Sequence, residues 1–282
     1  MNIVQGGVLQ PQATVQSQPF LKWAGGKTQL LAELIARRPA AYNVYYEPFL
    51  GSGAFYFALS PVQAVLSDIN DDLVNAFQVV RDNPEDLINK LSTYENSKDF
   101  FYEMRALDAG SLSSLDRAAR LIYLNRTCFN GLYRVNKQGQ FNVPFANYKN
   151  PNFVQGPKLL ADSNLLQGAN IQHASFGTVL ESAKKGDFVY LDPPYFPLGG
   201  YSDFKRYNKE QFHKEDHEKL AELYNQLSDR GCYVMLSNSD TPFTRELYKN
   251  WRIDIVYAKR MINCDATKRG EVTEIIVTNY DY

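Results

Sequence analysis

Asp192-Pro193-Pro194-Tyr195 has the residue types, in the right order, to hold an amino group still. Two consecutive prolines fix φ twice and keep the residue before each of them extended. Neither has an N–H, so the Asp192 carboxylate and the Pro193 carbonyl can act together as acceptors, with Tyr195 as a flat face beside them. Two acceptors and an aromatic ring suit chemistry on the exocyclic nitrogen of a base. Residues 186–191 form a short apolar run rich in β-formers and read as a buried strand. The motif then stands at the carboxyl end of a strand, where open α/β sheets bind their ligands. Asp-Pro and Pro-Pro are also ordinary loop punctuation, so this reading depends on what else the chain carries.

The elements before the motif supply that company. Order begins at Phe20, and Gly25-Gly26-Lys27 leads into a helical stretch over 28–37, ending before Pro39. Gly-Gly-Lys-Thr suggests a phosphate loop, but the first glycine of that motif would fall at Leu21, so the match fails. The alternative is a turn into a helix start, with Lys27 placed for a carboxylate. Residues 44–47 read as a strand, followed by Pro48-Phe49-Leu50-Gly51-Ser52-Gly53 and a helix over 54–59. A strand, a glycine turn and a helix open the nucleotide site of doubly wound folds, because Gly51 and Gly53 let backbone approach a ligand closely. A second strand over 64–68 ends in Asp68, about 20 residues beyond the first, where a carboxylate can take ribose hydroxyls.

From 72 to about 127 the periodicity is helical, with clean helix starts at Asn83-Pro84-Glu85 and Ser114-Leu115-Asp116. Residues 132–136 and 140–144 alternate around Lys137-Gln138-Gly139, a hairpin signal. Between 116 and 158 stand Arg117, Arg120, Arg126, Arg134, Lys137, Lys149 and Lys158, against one acid, Asp116. Interleaved with Phe129, Tyr133, Phe141 and Tyr148, they make a basic, aromatic surface. Further strands are expected over 170–173, 232–237, 253–257 and 274–278, with a helix over 214–228. The loop 196–207 is long enough to be a lid. A polar loop with Lys268 and Arg269 separates the last two strands.

Composition bounds these readings. The 282 residues are 44% hydrophobic and 13% aromatic, enough for a substantial core and against global disorder. A net charge of −1 gives no global signature of nucleic-acid binding, so any such function rests on the local basic window. Cys128, Cys232 and Cys264 are widely spaced and unpaired in pattern, which argues for a reducing compartment and against a zinc or disulfide framework. No run approaches a membrane span. Residues 1–19 are Gln-rich, without a basic start or apolar segment, and read as a flexible leader rather than a secretory signal. His213 and His217 share a helix face, but the residues between them do not make a zinc motif, so no metal is expected. A soluble, intracellular protein is expected.

Taken in order, Phe20 to Lys27, Glu47 to Gly53, Asp68 and Asp192 to Tyr195 resemble the DNA adenine-N6 methyltransferase family, and within it the branch that methylates GATC. Residues 123–134 and Phe141-Asn142-Val143-Pro144-Phe145 resemble that branch's DNA-reading region. The resemblance runs from Phe20 to the C-terminus. It implies an S-adenosylmethionine-dependent α/β fold, with a mixed seven-stranded, Rossmann-like sheet, and a helical plus β-hairpin DNA-recognition insert. Residues 20–71 and 155–282 would form the catalytic domain and 72–154 the recognition domain. S-adenosylmethionine would lie against Trp23, Lys27, Glu47, Phe49, Gly51, Gly53, Asp68, Phe176 and Asp192. Asp192, Pro193, Pro194 and Tyr195 would be catalytic, acting on an adenine flipped out of double-stranded DNA. Lys22, Arg126, Phe129, Asn130, Leu132, Arg134, Pro144 and Tyr148 would contact DNA. Asn147 stands where many of the family carry an arginine, a departure that weakens one implied phosphate contact. Two rival classes are an amino-methyltransferase on cytosine N4 or protein glutamine, and a DNA-binding module without catalysis. A cytoplasmic location is implied, with a restriction endonuclease as a partner or none.

Overall fold

The computed structural model describes residues 19–198, 212–259 and 271–282. Five parallel strands come first, β1 (Tyr45–Glu47), β2 (Ala64–Asp68), β3 (Ala169–His173), β4 (Phe188–Leu191) and β5 (Tyr233–Ser239). The last two are β6 (Arg252–Lys259) and β7 (Glu271–Thr278), and β7 inserts antiparallel between β5 and β6. The resulting order is β3-β2-β1-β4-β5-β7-β6, a mixed seven-stranded sheet.

The central strands β1 and β4 are buried along their whole length because both faces of the sheet are covered there, whereas the edge strands β3 and β6 expose Asn170, Gln172 and His173, and Ile255 and Tyr257. Tyr45, Phe188, Tyr190, Met235 and Ile276 enter one core, while Tyr46, Val189, Leu191, Val234, Leu236, Ile275 and Val277 enter the other. The first core is shared with α1 (Leu31–Ala36), α2 (Ala54–Leu59), α3 (Asp71–Asp82), α4 (Pro84–Ser92), α5 (Lys98–Ala106), α6 (Ser114–Thr127) and α7 (Gly156–Leu166). The second packs beneath α8 (Val179–Ser182), α9 (Lys214–Asp229) and α10 (Pro242–Leu247). The helical segment between β2 and β3 is thus packed into the sheet's own core.

Local chemistry explains where these helices begin and end. Asn70, Ser97 and Ser113 accept from backbone N–H groups three residues on, and Pro84 occupies a first-turn position where its missing N–H costs nothing. Arg120 reaches back from α6 to the last carbonyls of α5, donating to Met104 O at 2.7 Å and Arg105 O at 3.0 Å.

Two local expectations are corrected. The helix expected over 28–37 is a 3-10 turn, Lys27–Gln29, followed by α1, and Lys27 is drawn inward at its start. The hairpin expected over 132–144 folds back as drawn, with Asn142 N donating to Arg134 O at 2.9 Å, but it meets only at the bridge Val135↔Phe141. Asn136 Oδ1 takes the N–H groups of Gln138 and Gln140, a side-chain alternative to the strand ladder. Among the described residues, no helix is long and apolar enough to cross a membrane. The leader to residue 18, most of the expected lid, Cys264 and the loop with Lys268 and Arg269 lie outside the described residues.

Candidate active site

β1 and β4 are neighbours from which the chain departs in opposite directions, so their carboxyl ends open a crevice at the switch point of the sheet. Glu47 ends β1, Asp68 ends β2, Asp192 follows β4, and Ser237 to Ser239 end β5.

On one side of the crevice Asp68 Oδ2 accepts from Gly51 N at 3.0 Å and Oδ1 from Asn70 N at 2.9 Å. Burial raises the Asp68 pKa, and these backbone donors pull it back toward the charged form. Gly51 has φ +49°, and a Cβ there would sit 3.2 Å from the Trp23 indole. Glycine is required on both counts. Trp23 stacks on Tyr133 at 5.0 Å, and Tyr133 donates its hydroxyl to Asp72 Oδ2 at 3.3 Å, while Arg117 engages the other oxygen of Asp72. A residue of the helical segment therefore sets the angle of the crevice wall. Deeper, Glu47 accepts from Tyr45 OH at 2.8 Å, and burial pushes its pKa up to about 8.

Phe49 and Phe176 stack at 5.4 Å. Phe212 meets both rings at 5.8 Å, edge-on to Phe49 and tilted to Phe176, and has no motif of its own to announce it. Ile69, directly after Asp68, leaves 60% of its surface exposed, another apolar face that motif reading misses.

On the other side Lys27 Nζ lies 2.8 Å from Asp192 Oδ1, donates to Gly25 O at 2.8 Å, and sits 4.3 Å from the Tyr195 ring centroid. Lys27 thus meets a carboxylate of the chain itself, that of Asp192. Ser237 Oγ donates to the same Asp192 oxygen at 2.7 Å. Burial raises the Asp192 pKa, and Lys27 and Ser237 oppose the shift. Tyr195 donates its hydroxyl to Glu274 Oε2 at 2.8 Å, which fixes the tilt of the ring, and Phe196 N donates to Asn238 Oδ1 at 3.1 Å. Pro193 is buried and Pro194 exposed. Among the described residues, no three His, Cys, Asp or Glu side chains are grouped to hold a metal.

The basic surface is smaller than the sequence count suggests. Arg117 pairs with Asp71 and Asp72, Arg120 closes α5, and Lys158 pairs with Asp162. Arg126, expected to contact DNA, is turned inward: it donates to Phe20 O at 2.6 Å and to Gln155 Oε1 at 2.6 Å. Its donors satisfy groups that would otherwise be stranded in the interior. Arg126→Ala should lower stability by about 2–3 kcal/mol, read from the denaturation midpoint, with DNA affinity of the folded fraction unchanged. A folded variant with normal stability and weakened DNA binding would return Arg126 to the surface role.

Arg134, Lys137 and Lys149 remain exposed, beside Lys22, Phe129, Asn130, Pro144 and Tyr148, with Leu132 half-buried. Lys22 is held by its backbone: Asn125 Oδ1 accepts from Lys22 N at 2.9 Å, and Asn125 Nδ2 donates to Lys22 O at 2.7 Å and Gly131 O at 3.0 Å. Gly131 has φ +64°, and a Cβ there would collide with the Lys22 side chain. Phe129 is 53% exposed, Asn130 takes the left-handed φ of 56°, and its N–H donates to the Tyr148 hydroxyl at 3.3 Å. Lys22 Nζ stands 5.7 Å from the Tyr148 ring centroid. Asn147 also has φ 56°, a conformation asparagine tolerates better than arginine.

Comparison with known proteins bears on the whole of this arrangement. The model of the D12 class N6 adenine-specific DNA methyltransferase family matches residues 23–263. The Type II methyltransferase M1.LlaDCHI of Lactococcus lactis subsp. cremoris is 43% identical over 274 residues, covering 94% of this chain and 96% of that protein. The Type II methyltransferase M.MjaIII of Methanocaldococcus jannaschii is 40% identical over 289 residues, covering 94% of this chain and all of the other (100%). The DNA adenine methylase of Escherichia coli (strain K12) is 33% identical over 265 residues, covering 93% of this chain and 95% of that protein. The match takes in the crevice, the sheet behind it and the helical segment beside it, and the chain belongs to the family of D12 class N6 adenine-specific DNA methyltransferases.

Proposed function

We propose that this enzyme methylates N6 of adenine in GATC on double-stranded DNA in the cytoplasm, with S-adenosylmethionine as donor and the target base flipped out of the helix. The observation that carries the reading is the juxtaposition at one switch point of a cradle for a nucleoside, Asp68 with Gly51, and an acceptor carboxylate, Asp192 beside Tyr195. The cradle suits such a donor because Gly51 keeps open the space a Cβ would fill beside Trp23, and Asp68 supplies an acceptor for ribose hydroxyls. Glu47, Phe49, Gly53, Phe176 and Lys27 complete the donor side, with Ile69 and Phe212 as added apolar walls.

S-adenosylmethionine, when bound, supplies an electrophilic methyl group on a sulfonium. The target amine is a poor nucleophile because its lone pair is delocalised into the ring. Asp192 and the Pro193 carbonyl accept hydrogen bonds from its two N–H groups and favour a more tetrahedral nitrogen, while Tyr195 receives the ring. Catalysis then comes from position and electrostatics, with no covalent intermediate. The atom cannot be reached inside a duplex, which is why the base must leave it. Residues 72–154 serve as the DNA-reading unit. Phe129 and Asn130 fill the vacated place, Arg134 reads guanine, Leu132 and Pro144 meet a thymine methyl, and Lys22 and Tyr148 meet the other guanine.

Plasmid treated with the enzyme and S-adenosylmethionine should resist a nuclease that is blocked only by GATC methylation. Full cutting of a plasmid that has nonetheless taken up labelled methyl groups would discard GATC. Asp68→Ala should chiefly weaken the donor, raising its Kd by about ten-fold or more, as loss of hydrogen bonds to a charged acceptor does. Calorimetry reads this directly, and an unchanged Kd would leave Asp68 as a brace for Gly51 alone.

A further inference from the structure

Asp192 has two carboxylate oxygens, and they are not in equivalent surroundings. Oδ1 takes both the Lys27 ammonium, at 2.8 Å, and the Ser237 hydroxyl, at 2.7 Å. Oδ2 has no partner among the described residues, although the side chain is only 17% exposed. Behind Ser237 stands Tyr190, whose hydroxyl is 2.9 Å from Ser237 Oγ. Ser237 and Tyr190 are both buried, on neighbouring strands β5 and β4. The direction of the chain follows from proton counting. A serine hydroxyl has one proton, and an ionised carboxylate can only accept, so that proton goes to Asp192. Tyr190 must therefore donate to Ser237. Burial raises the Tyr190 pKa well above its ordinary value, which keeps that donor protonated.

We infer that Ser237, backed by Tyr190, is a positioning residue that saturates one oxygen of Asp192 and turns the other toward the target amine. Without Ser237, Lys27 alone would hold Oδ1 through a single flexible ammonium, which does not fix rotation about the carboxyl bond. The carboxylate would then present its free lone pairs over a range of directions, and the amine would lose its aligned acceptor. The inference rests on the proposed role of Asp192 as the amine's acceptor.

Ser237→Ala should lower kcat by about ten- to a hundred-fold, the range expected for one hydrogen bond to a charged group, while the donor Kd stays within two-fold. The acid limb of the kcat–pH profile should also move to higher pH. Asp192 is faced by Lys27, Glu47, Tyr190, Tyr195 and Ser237; of these Lys27 and Ser237 favour its charged form, so losing Ser237 raises its pKa. Ser237→Thr, which keeps the hydroxyl, should recover most of the rate. Tyr190→Phe should cause a smaller loss, and the double variant with Ser237→Ala should be no slower than Ser237→Ala alone. A Ser237→Ala enzyme with kcat within two-fold of wild type, an unmoved acid limb, or strictly additive losses in the double variant would each overturn the relay. Asp192→Ala, run beside them, separates the two ideas. If it stays active, the acceptor role itself is wrong; if it is dead while Ser237→Ala is normal, only the positioning role falls.

Discussion

Asp192→Ala should cut methyl transfer by about 10²–10³, the usual loss when one preorganised electrostatic contact is removed. Two contributions act together. The amine loses an acceptor held in a largely water-free site, and the Lys27 ammonium, 9% exposed, loses its counter-charge and is left with Gly25 O and the Tyr195 face. The second effect would disturb Tyr195 as well, so Asp192→Asn is the cleaner companion. It keeps the shape and one acceptor, but turns an N–H₂ group toward Lys27 or toward the target amine, and in either orientation one partner meets a donor. Both variants should fail in single-turnover methylation even with S-adenosylmethionine at saturation. A rate within a factor of two of wild type would remove Asp192 from the mechanism.

The second large effect concerns sequence choice and falls on Arg134. Its guanidinium is exposed, yet one edge is already fixed: Nε donates to Asn142 Oδ1 at 2.6 Å and Nη2 to Asn142 O at 3.1 Å. The remaining edge, with one N–H on each terminal nitrogen, keeps the two parallel donors that match guanine O6 and N7. A side chain braced in this way reads a base better than a free one, because less freedom is lost on contact. Arg134→Ala should cost roughly 1–3 kcal/mol at GATC and let near-cognate sites gain relative to it. A phosphate contact would behave otherwise, weakening every duplex alike and flattening the salt slope by about one unit. Rates on GATC and its single-base variants at two salt concentrations separate the two. A uniform loss with the ranking unchanged would make Arg134 an anchor.

Much of the sheet was legible in the chain because β1, β2 and β4 each end in a recognisable turn. β2 was bounded as it is observed, Ala64–Asp68, and β1 and β4 differ from expectation only at their starts. Glycine turns and strand-end acids are local features, so Gly51, Asp68 and Asp192 could be picked out one by one. Ser237, Tyr190, Glu274 and Phe212 could not. Ser237, Tyr190 and Glu274 meet the site only through strand register, where Tyr190 pairs with Met235 and Leu191 with Leu236, or through the placement of β7 between β5 and β6, and Phe212 reaches it from the lead-in to α9. Nothing within a few residues of Ser237 says which carboxylate it will face. The inward turn of Arg126 was hidden for a related reason. Its charge and its basic neighbours argued for the surface, while the groups it serves, Phe20 O and Gln155 Oε1, lie far away in sequence. The hairpin forms with its pairing cut short, because alternation does not reveal that Asn136 will close the tip with its own side chain.

Asn125 limits how freely this architecture can be rebuilt. One amide side chain grips both backbone groups of Lys22 and the carbonyl of Gly131, so the N-terminal segment and the loop after α6 are pinned at a single point. The next residue of that segment, Trp23, leans on Tyr133 from the same loop. If residues 72–154 read DNA as proposed, a specificity graft that exchanged them alone would break both junctions at once and tilt the Trp23 wall of the crevice as well. On that proposal the transplantable unit is discontinuous. It consists of that stretch together with the strip from Phe20 to Trp23, and a borrowed reader must arrive with its own matching strip to leave catalysis undisturbed.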